Sequence, residues 1–392
     1  MKKQRRNFRL FLIGLPLITK LGIALLSIAF IFFGTSVVRH WNPQISPGTL
    51  FWNLFDDYYA NISIDFLGTA ITILIIDKIN ENRARENEKR DLALQMGSPN
   101  SAFAMEAVRR LRIRDWLEEV ILQDKVDFSV ANLQGFDLCD FDLSHMTLSG
   151  ADFSNAKFDS TKFIHAKMDG TVLQGASLLA CDLSMATLQK AKLMKAVLTD
   201  SRLENAILRD ADLSNAILIS ANLTGACLAN ARLDGTDLTN ANLEYVDFSG
   251  VELENTIGVP QKWLWAQRII NNRRKGEKFS GIELHNAYLR GAYLEQADFS
   301  KSIVDGSDFS KSILRGADFA GAIFKHVNFS QADLSNANFT RANLVETDFS
   351  GAELEHADFT GADLTGAKIT REQLSKVKRL YQAILPDGKI SE

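Results

Sequence analysis

The chain has 392 residues, with 44 basic and 48 acidic side chains and a net charge of −4. That near balance argues against a strongly basic nucleic-acid binder, and the length allows two or three domains. Three cysteines (Cys139, Cys181, Cys227) are too few for a disulfide scaffold and too far apart for metal-ligand spacing.

The average conceals a split. Residues 1–125 carry 17 basic and 13 acidic groups, residues 126–254 carry 9 and 18, residues 255–278 carry 6 and 1, residues 279–370 carry 7 and 13, and residues 371–392 carry 5 and 3. Two long acidic stretches are therefore separated by a short basic one.

Residues 1–76 read as two transmembrane helices, about 10–38 and 58–76, joined by a short external loop. Lys20 and Pro16 are the only interruptions of the first run, and no small-x-small site follows it as a signal peptide requires. The second run is weaker. It contains Asn61 and Asp65, with Tyr58 and Tyr59 as an interfacial anchor. Asp65 is the candidate intramembrane polar residue, expected near the outer interface, and an amphipathic helix lying on the bilayer competes with the second span. Lys and Arg crowd residues 2–9 and 78–90, whereas the intervening loop holds only Arg39. The positive-inside rule then places both termini in the cytoplasm of a bacterial inner or internal membrane.

Residues 77–125 are expected to form a helical linker and N-terminal cap. One charged helix runs to about Leu94, Gly97-Ser98-Pro99-Asn100 breaks it, and a second runs from Ser101 to Leu122 with Ser98 or Asn100 as N-cap. Arg109, Arg110, Arg112 and Arg114 form a basic cluster that reads as a solvated face or a contact for anionic headgroups.

From Val126 the pattern changes. Leu, Phe or Met occupies every fifth position from Phe128 to Leu253, and an apolar residue does so again from Phe279 to Ile369. A small residue, most often alanine, stands two positions before each. Period five fits neither helix nor strand. It fits a coil that turns a corner every five residues, so that residues 20 apart stack. Phe279, Phe299, Phe319, Phe339 and Phe359 make such a same-residue ladder.

Ala-Asp-Leu-Ser-Asn (211–215), Ala-Asn-Leu-Thr-Gly (221–225) and Ala-Asp-Leu-Thr-Gly (362–366) resemble the pentapeptide-repeat family. The resemblance covers about three-fifths of the chain. It implies a mainly β fold: a right-handed quadrilateral β-helix in two parts, 126–254 and 279–370, with coils stacked about 4.8 Å apart. Bulky Phe136, Phe141 and Met146 in the small inward position are expected to loosen the first coil. Residues 371–392 read as a capping helix and tail, with capping-box spacing from Thr370 to Gln373 and with Leu374, Val377, Leu380 and Tyr381 covering the last coil.

The insertion 255–278 reads as a basic helix that starts at Pro260 and stops at Gly276. Trp263, Trp265, Arg268, Arg273, Arg274 and Lys275 are the candidate partner-binding residues. The competing reading folds this helix against the rod with its tryptophans buried. Neither a phosphate loop, a His-Glu-x-x-His motif nor a nucleophile elbow is present, so no enzyme, cofactor or metal site is expected. His145 and His165, 20 residues apart, are placed to stack on one face.

These features lead to a non-catalytic, membrane-anchored scaffold that presents an acidic rod to a protein partner in the cytoplasm. The family resemblance implies a second reading, a DNA mimic that binds a type II topoisomerase. A third is a regulator of membrane sensing or transport.

Overall fold

The computed structural model describes residues 17–41, 50–122 and 127–392, without the side chains of 17, 32–41 and 50–63. Residues up to Asp91 form one compact unit and Leu92–Glu392 another.

In the first unit, α1 (Leu17–Trp41) and α2 (Leu50–Met96, which continues into the second unit) pair as a hairpin. Thr19 donates its hydroxyl to Asp77, and a Cβ on Gly22 would meet Leu74 Cδ2 at 2.8 Å. Both contacts place the helices antiparallel, with Gly22 allowing the close approach. Among the described residues no helix is long and apolar enough to cross a membrane. Both sequence-predicted spans, 10–38 and 58–76, lie only partly within the described residues, and Tyr58 and Tyr59 lie outside the described side chains.

The second unit opens with the end of α2, then α3 (Ser101–Ile113) and α4 (Leu117–Leu122). Asn100 caps α3 by accepting the Ala102 N–H at 3.0 Å. Instead of one helix to Leu122 there are two, because Asp115 takes a φ of 60° and turns the chain. Leu92, Met96, Val108, Leu111, Val120 and Ile121 join the core of the first coils. Gly97 fits there because a Cβ would lie 2.2 Å from the Asp127 carbonyl oxygen.

From residue 128 the chain winds as a four-sided parallel β-helix. Single parallel bridges join residues 20 apart, from Asn132–Asp152 through Asp237–Ile257 and again from Lys278–Asp298 through Asp348–Lys368. The one two-stranded sheet, β1 (Glu283–His285) with β2 (Ile303–Asp305), keeps the same offset.

The repeat Ala151–Asn155 shows why Ala-Asp/Asn-Leu/Phe-x-x folds this way. Ala151 N–H bonds Leu148 O at 3.1 Å across the corner. Asp152 N–H reaches back one coil to Ala131 O at 2.8 Å, while Phe153 and Asn155 reach forward to Val172 O at 2.7 Å and Gln174 O at 2.8 Å. The remaining N–H, of Ser154, is taken by Asp152 Oδ1 at 3.0 Å. All five donors are satisfied, four by backbone and one by the Asp side chain, as a buried wall of coils requires.

The fifth residue of each repeat has a left-handed φ throughout 130–250 and again through 276–366. Gly and Asn suit it, but Val130 holds it at 61° while exposed to solvent. A β-branched residue is strained in that region. Val130→Gly is therefore expected to raise stability by about 1 kcal/mol, read as a higher thermal midpoint of the detergent-solubilised chain. An unchanged or lower midpoint would remove strain at Val130 as a factor.

The Asp side chains that accept these N–H groups are held below the usual carboxylate range. For Asp237 the cause is the hydroxyl of Thr239, then its N–H. For Asp333 burial pulls upward but is outweighed by hydrogen bonds from Ser335 and Arg315. A depressed folded pKa means the stabilisation is present above the unfolded value near 4 and is lost as pH falls through the folded one. Unfolding free energy should be flat from pH 7 to about 5 and fall below about 4. Asp237→Ala should cost about 1 kcal/mol at pH 7 and flatten part of the acid slope, while Asp237→Asn keeps the acceptor and most of the stability. An acid slope unchanged in Asp237→Ala would exclude this carboxylate from the acid response.

The two β-helical parts differ by one residue in phase. The inward residue is Leu253 before the insertion and Phe279 after it, five repeats plus one residue later. Within the insertion, α5 (Gln261–Ile270) ends at Asn271 rather than Gly276, and Gly276 belongs to a turn of the resumed coil. At the C-terminus α6 is only Arg371–Ser375, with the capping box between Thr370 and Gln373 in place. The coil then continues: Asp358 bridges Arg379 and Asp363 bridges Ile384, 21 residues on, and Ile384 meets Ile390 antiparallel. Leu374, Val377 and Leu380 pack partly against the core, whereas Tyr381 is exposed. The expected helix over 371–392 is thus a single turn followed by another coil and a returning tail.

Candidate interaction surfaces

The insertion is built into the rod. Trp263 is 3% exposed, and Ala266, Ile269 and Ile270 are buried with it. Trp265 packs edge-on to Phe279 at 6.3 Å. Arg268 lies 5.4 Å above Trp265 and pairs with Glu277 at 2.8 Å. Lys275 pairs with Glu295 at 2.7 Å. Arg273 donates to Asn272 O at 3.1 Å, and Arg274 is exposed. Of the six candidate binding residues, the tryptophans thus pack on the core, Arg268 and Lys275 are ion-paired within the chain, and only Arg273 and Arg274 carry no ion pair with this chain's own carboxylates. An open cleft of about 410 Å³ remains, lined by Leu253, Glu254, Val259, Leu264, Trp265 and Arg268.

Three residues that motif reasoning passed over join the insertion to the coils. Asn271 Oδ1 accepts the Gly250 N–H at 2.6 Å, and its Nδ2 donates to Phe248 O at 3.1 Å and Val251 O at 3.2 Å. Gln267 Nε2 donates to Val251 O at 2.8 Å. Tyr245 N–H bonds Asn286 O at 2.7 Å, and its hydroxyl lies 3.1 Å from both Asn286 Oδ1 and Gly306 O. The available signal was that Asn271 stands 20 residues after Val251, in the inward register.

Four-sided coils put side-chain rows on the flat faces. His145 and His165 stack with ring centroids 5.2 Å apart, both exposed. Acidic side chains are repeatedly met by a cation one coil away: Asp182 by Arg202, Asp212 by Arg232, Asp333 by Arg315, Asp348 by Lys368 and Asp358 by Arg379. Cys181 is buried in the inward small position, where desolvation pushes its thiol up to about 12. It donates to Phe158 O at 2.7 Å, as Thr161 does to Leu138 O at 2.6 Å. Among the described residues no three His, Cys, Asp or Glu side chains gather as a metal site.

A second groove of about 740 Å³ lies between α3 and the first coil, lined by Met105, Val108, Arg109, Arg112, Ile113 and Phe136. Phe136 and Phe141 are half-buried there, while Met146 is buried. Arg109 is taken by Glu106 at 2.8 Å, and Arg112 donates to Asp137 O.

The family model for pentapeptide repeats matches eight copies between residues 127 and 371, leaving out the insertion. The chain belongs to the pentapeptide-repeat family. Among solved structures it is similar to HetL from the cyanobacterium Nostoc, a pentapeptide-repeat protein involved in heterocyst differentiation regulation. Identity is 27% over 66% of this chain and 91% of that one, with a TM-score of 0.28. It is also similar to a thylakoid-lumen pentapeptide-repeat protein of Arabidopsis thaliana, at 28% identity over 26% of this chain and 68% of that one, with a TM-score of 0.19. QnrB1, a plasmid-mediated fluoroquinolone resistance protein, matches at 18% identity over 62% of this chain and 93% of that one, with a TM-score of 0.20. No curated protein matches the chain.

On the helical hairpin, Asp65 is exposed on α2. The ladder Phe279, Phe299, Phe319, Phe339 and Phe359 runs through the second part of the core, with successive centroids 5.1, 5.6, 4.8 and 4.8 Å apart.

Proposed function

We propose that this pentapeptide-repeat protein is a membrane-anchored, non-catalytic scaffold whose rod faces the cytoplasm and engages a protein partner through its flat faces. The observation that carries the anchor is the surface of the α1–α2 hairpin. Phe30 is 73% exposed, Ile31 64% and Ile64 63%, and Ile18, Leu21, Ile71, Ile75 and Ile76 are exposed around them. Such an apolar surface is a liability in water and is what hydrocarbon requires. The antiparallel pairing brings the basic stretches 2–9 and 78–90 toward the same end of the hairpin in sequence, which supports cytoplasmic termini. For the rod, the supporting feature is a rigid frame whose exposed side chains repeat every coil.

A DNA-mimicking role has the acidity of the repeats in its favour, but the cations paired to Asp182, Asp212, Asp333, Asp348 and Asp358 interrupt any continuous negative track. The test fractionates native membranes at alkaline pH and reads a C-terminal tag in right-side-out and inverted vesicles. The chain is expected in the pellet, with the tag reached only in inverted vesicles. Release to the supernatant would sink the anchor. Inhibition of type II topoisomerase supercoiling by the purified chain would favour the mimic.

A further inference from the structure

We propose that the outward face of α2 is a self-association surface, on which a second copy of this chain packs through Gly68 and Thr72 and covers Asp65. The proposal rests on the membrane-anchored reading and names the partner within the bilayer.

The inward face of α2 is set by the contacts with α1: Ala70 is fully buried, Leu74 meets Gly22, and Asp77 meets Thr19. Helical spacing puts Asp65, Gly68, Thr72, Ile75 and Ile79 on the opposite side, and all five are exposed. Two glycines of the hairpin behave differently. A Cβ on Gly22 would strike Leu74, whereas a Cβ on Gly68 would meet nothing within 4 Å. Thr72 turns its hydroxyl back onto Gly68 O at 2.8 Å, leaving its methyl group outward. Gly68-x-x-x-Thr72 is thus a shallow small-residue surface facing outward, the kind on which membrane helices approach closely.

Depth supplies the independent argument. Asp65 stands 12 residues before Asp77 on one continuous helix, roughly 18 Å at the α-helical rise. A hydrocarbon core is about 30 Å thick. With Asp77 at the cytoplasmic boundary, Asp65 lies close to mid-depth rather than near the outer interface. A carboxyl group there is costly when it faces lipid, and such groups turn to the interior of a bundle and pair. Among the described residues Asp65 has no partner within the chain.

A second copy meets these requirements without a further protein. A two-fold axis along the membrane normal makes the row isologous. Gly68 then meets Gly68 of the second copy, Thr72 meets Thr72, and the two Asp65 carboxyl groups face each other, where one shared proton lets each satisfy the other. The closest described lysine of the hairpin, Lys20, lies at the Asp77 end and so does not reach Asp65.

The experiment uses full-length chain in its own membranes, with Cys139, Cys181 and Cys227 replaced by Ser, Ala and Ser. Gly68→Cys, Thr72→Cys and the flank variant Leu67→Cys are oxidised with copper phenanthroline. Gly68→Cys and Thr72→Cys are expected to give a covalent species of twice the chain mass, about ten-fold more than Leu67→Cys. Adding Asp65→Arg to Gly68→Cys should reduce that yield about ten-fold, whereas Asp65→Asn should retain most of it. Equal yields at all three positions, or adducts with a different protein, would overturn the second copy while leaving the anchor intact. Chain released from the membranes at alkaline pH would instead overturn the anchor on which the proposal rests.

Discussion

Phe319→Ala is expected to destabilise the second part of the β-helix by about 4 kcal/mol, within the range for deleting a buried ring. Phe319 is fully buried and touches four other rings. It stacks on Phe299 at 5.6 Å and on Phe339 at 4.8 Å, and meets Phe324 and Phe329 edge-on at 5.1 and 5.8 Å. Truncation therefore removes transfer energy, leaves a cavity between two coils and breaks ring pairs worth about 0.5–1.5 kcal/mol each. Coils contact only their neighbours, so the loss should stay local. In hydrogen exchange, amides of 299–339 should lose protection while those around Leu173–Leu213 keep theirs. Phe319→Leu should cost much less, because leucine occupies the equivalent position in most coils of the first part. A loss below about 1 kcal/mol in Phe319→Ala would show that the coils close over the gap and that the ladder is not a rigid stack.

The period-five pattern made most of this architecture readable because one residue type meets one need at each position. The inward Leu or Phe, the small residue before it and the Asp or Asn between them are each tied to one donor or one cavity, as Ala151–Asn155 shows. What escaped was phase. The shift of one residue between Leu253 and Phe279 is invisible when each part is read separately. A second shift, between Asp358 and Arg379, hid the last coil, so apolar residues 374–380 looked like a helical stripe. The short α6 supplies the physical reason: its capping box closes one turn, and Gln373 Nε2 then bonds Phe349 O at 2.7 Å and Ala352 O at 2.9 Å, returning the chain to the coil. At the insertion, charge and tryptophans suggested a docking element. The ion pairs of Arg268 and Lys275 and the burial of Trp263 depend on where the coil reopens, which composition does not encode.

Asn271→Ala should separate the two parts of the rod energetically, at a cost of about 3 kcal/mol. In a regular coil the inward small residue leaves the carbonyls below it to the backbone, or to a hydroxyl such as Thr236, which donates to Leu213 O at 2.8 Å. Above Val251 the chain has left the coil to form α5, and Asn271 substitutes for the missing backbone: it accepts from Gly250 and donates to Phe248 and Val251. Removing it leaves one donor and two acceptors short of partners at a half-buried joint, each costing on the order of 1 kcal/mol or more. Asn271→Asp tests the division of labour, because it keeps the acceptor for Gly250 and loses both donations. Its loss should fall between wild type and Asn271→Ala near pH 7. Limited proteolysis provides the local readout, with cleavage between residues 255 and 278 expected to accelerate about ten-fold or more in Asn271→Ala while the flanking coils remain resistant. Proteolysis at the wild-type rate would mean that Gln267 and Tyr245 hold the joint without Asn271, and that the insertion is tied to the rod through its buried tryptophan instead.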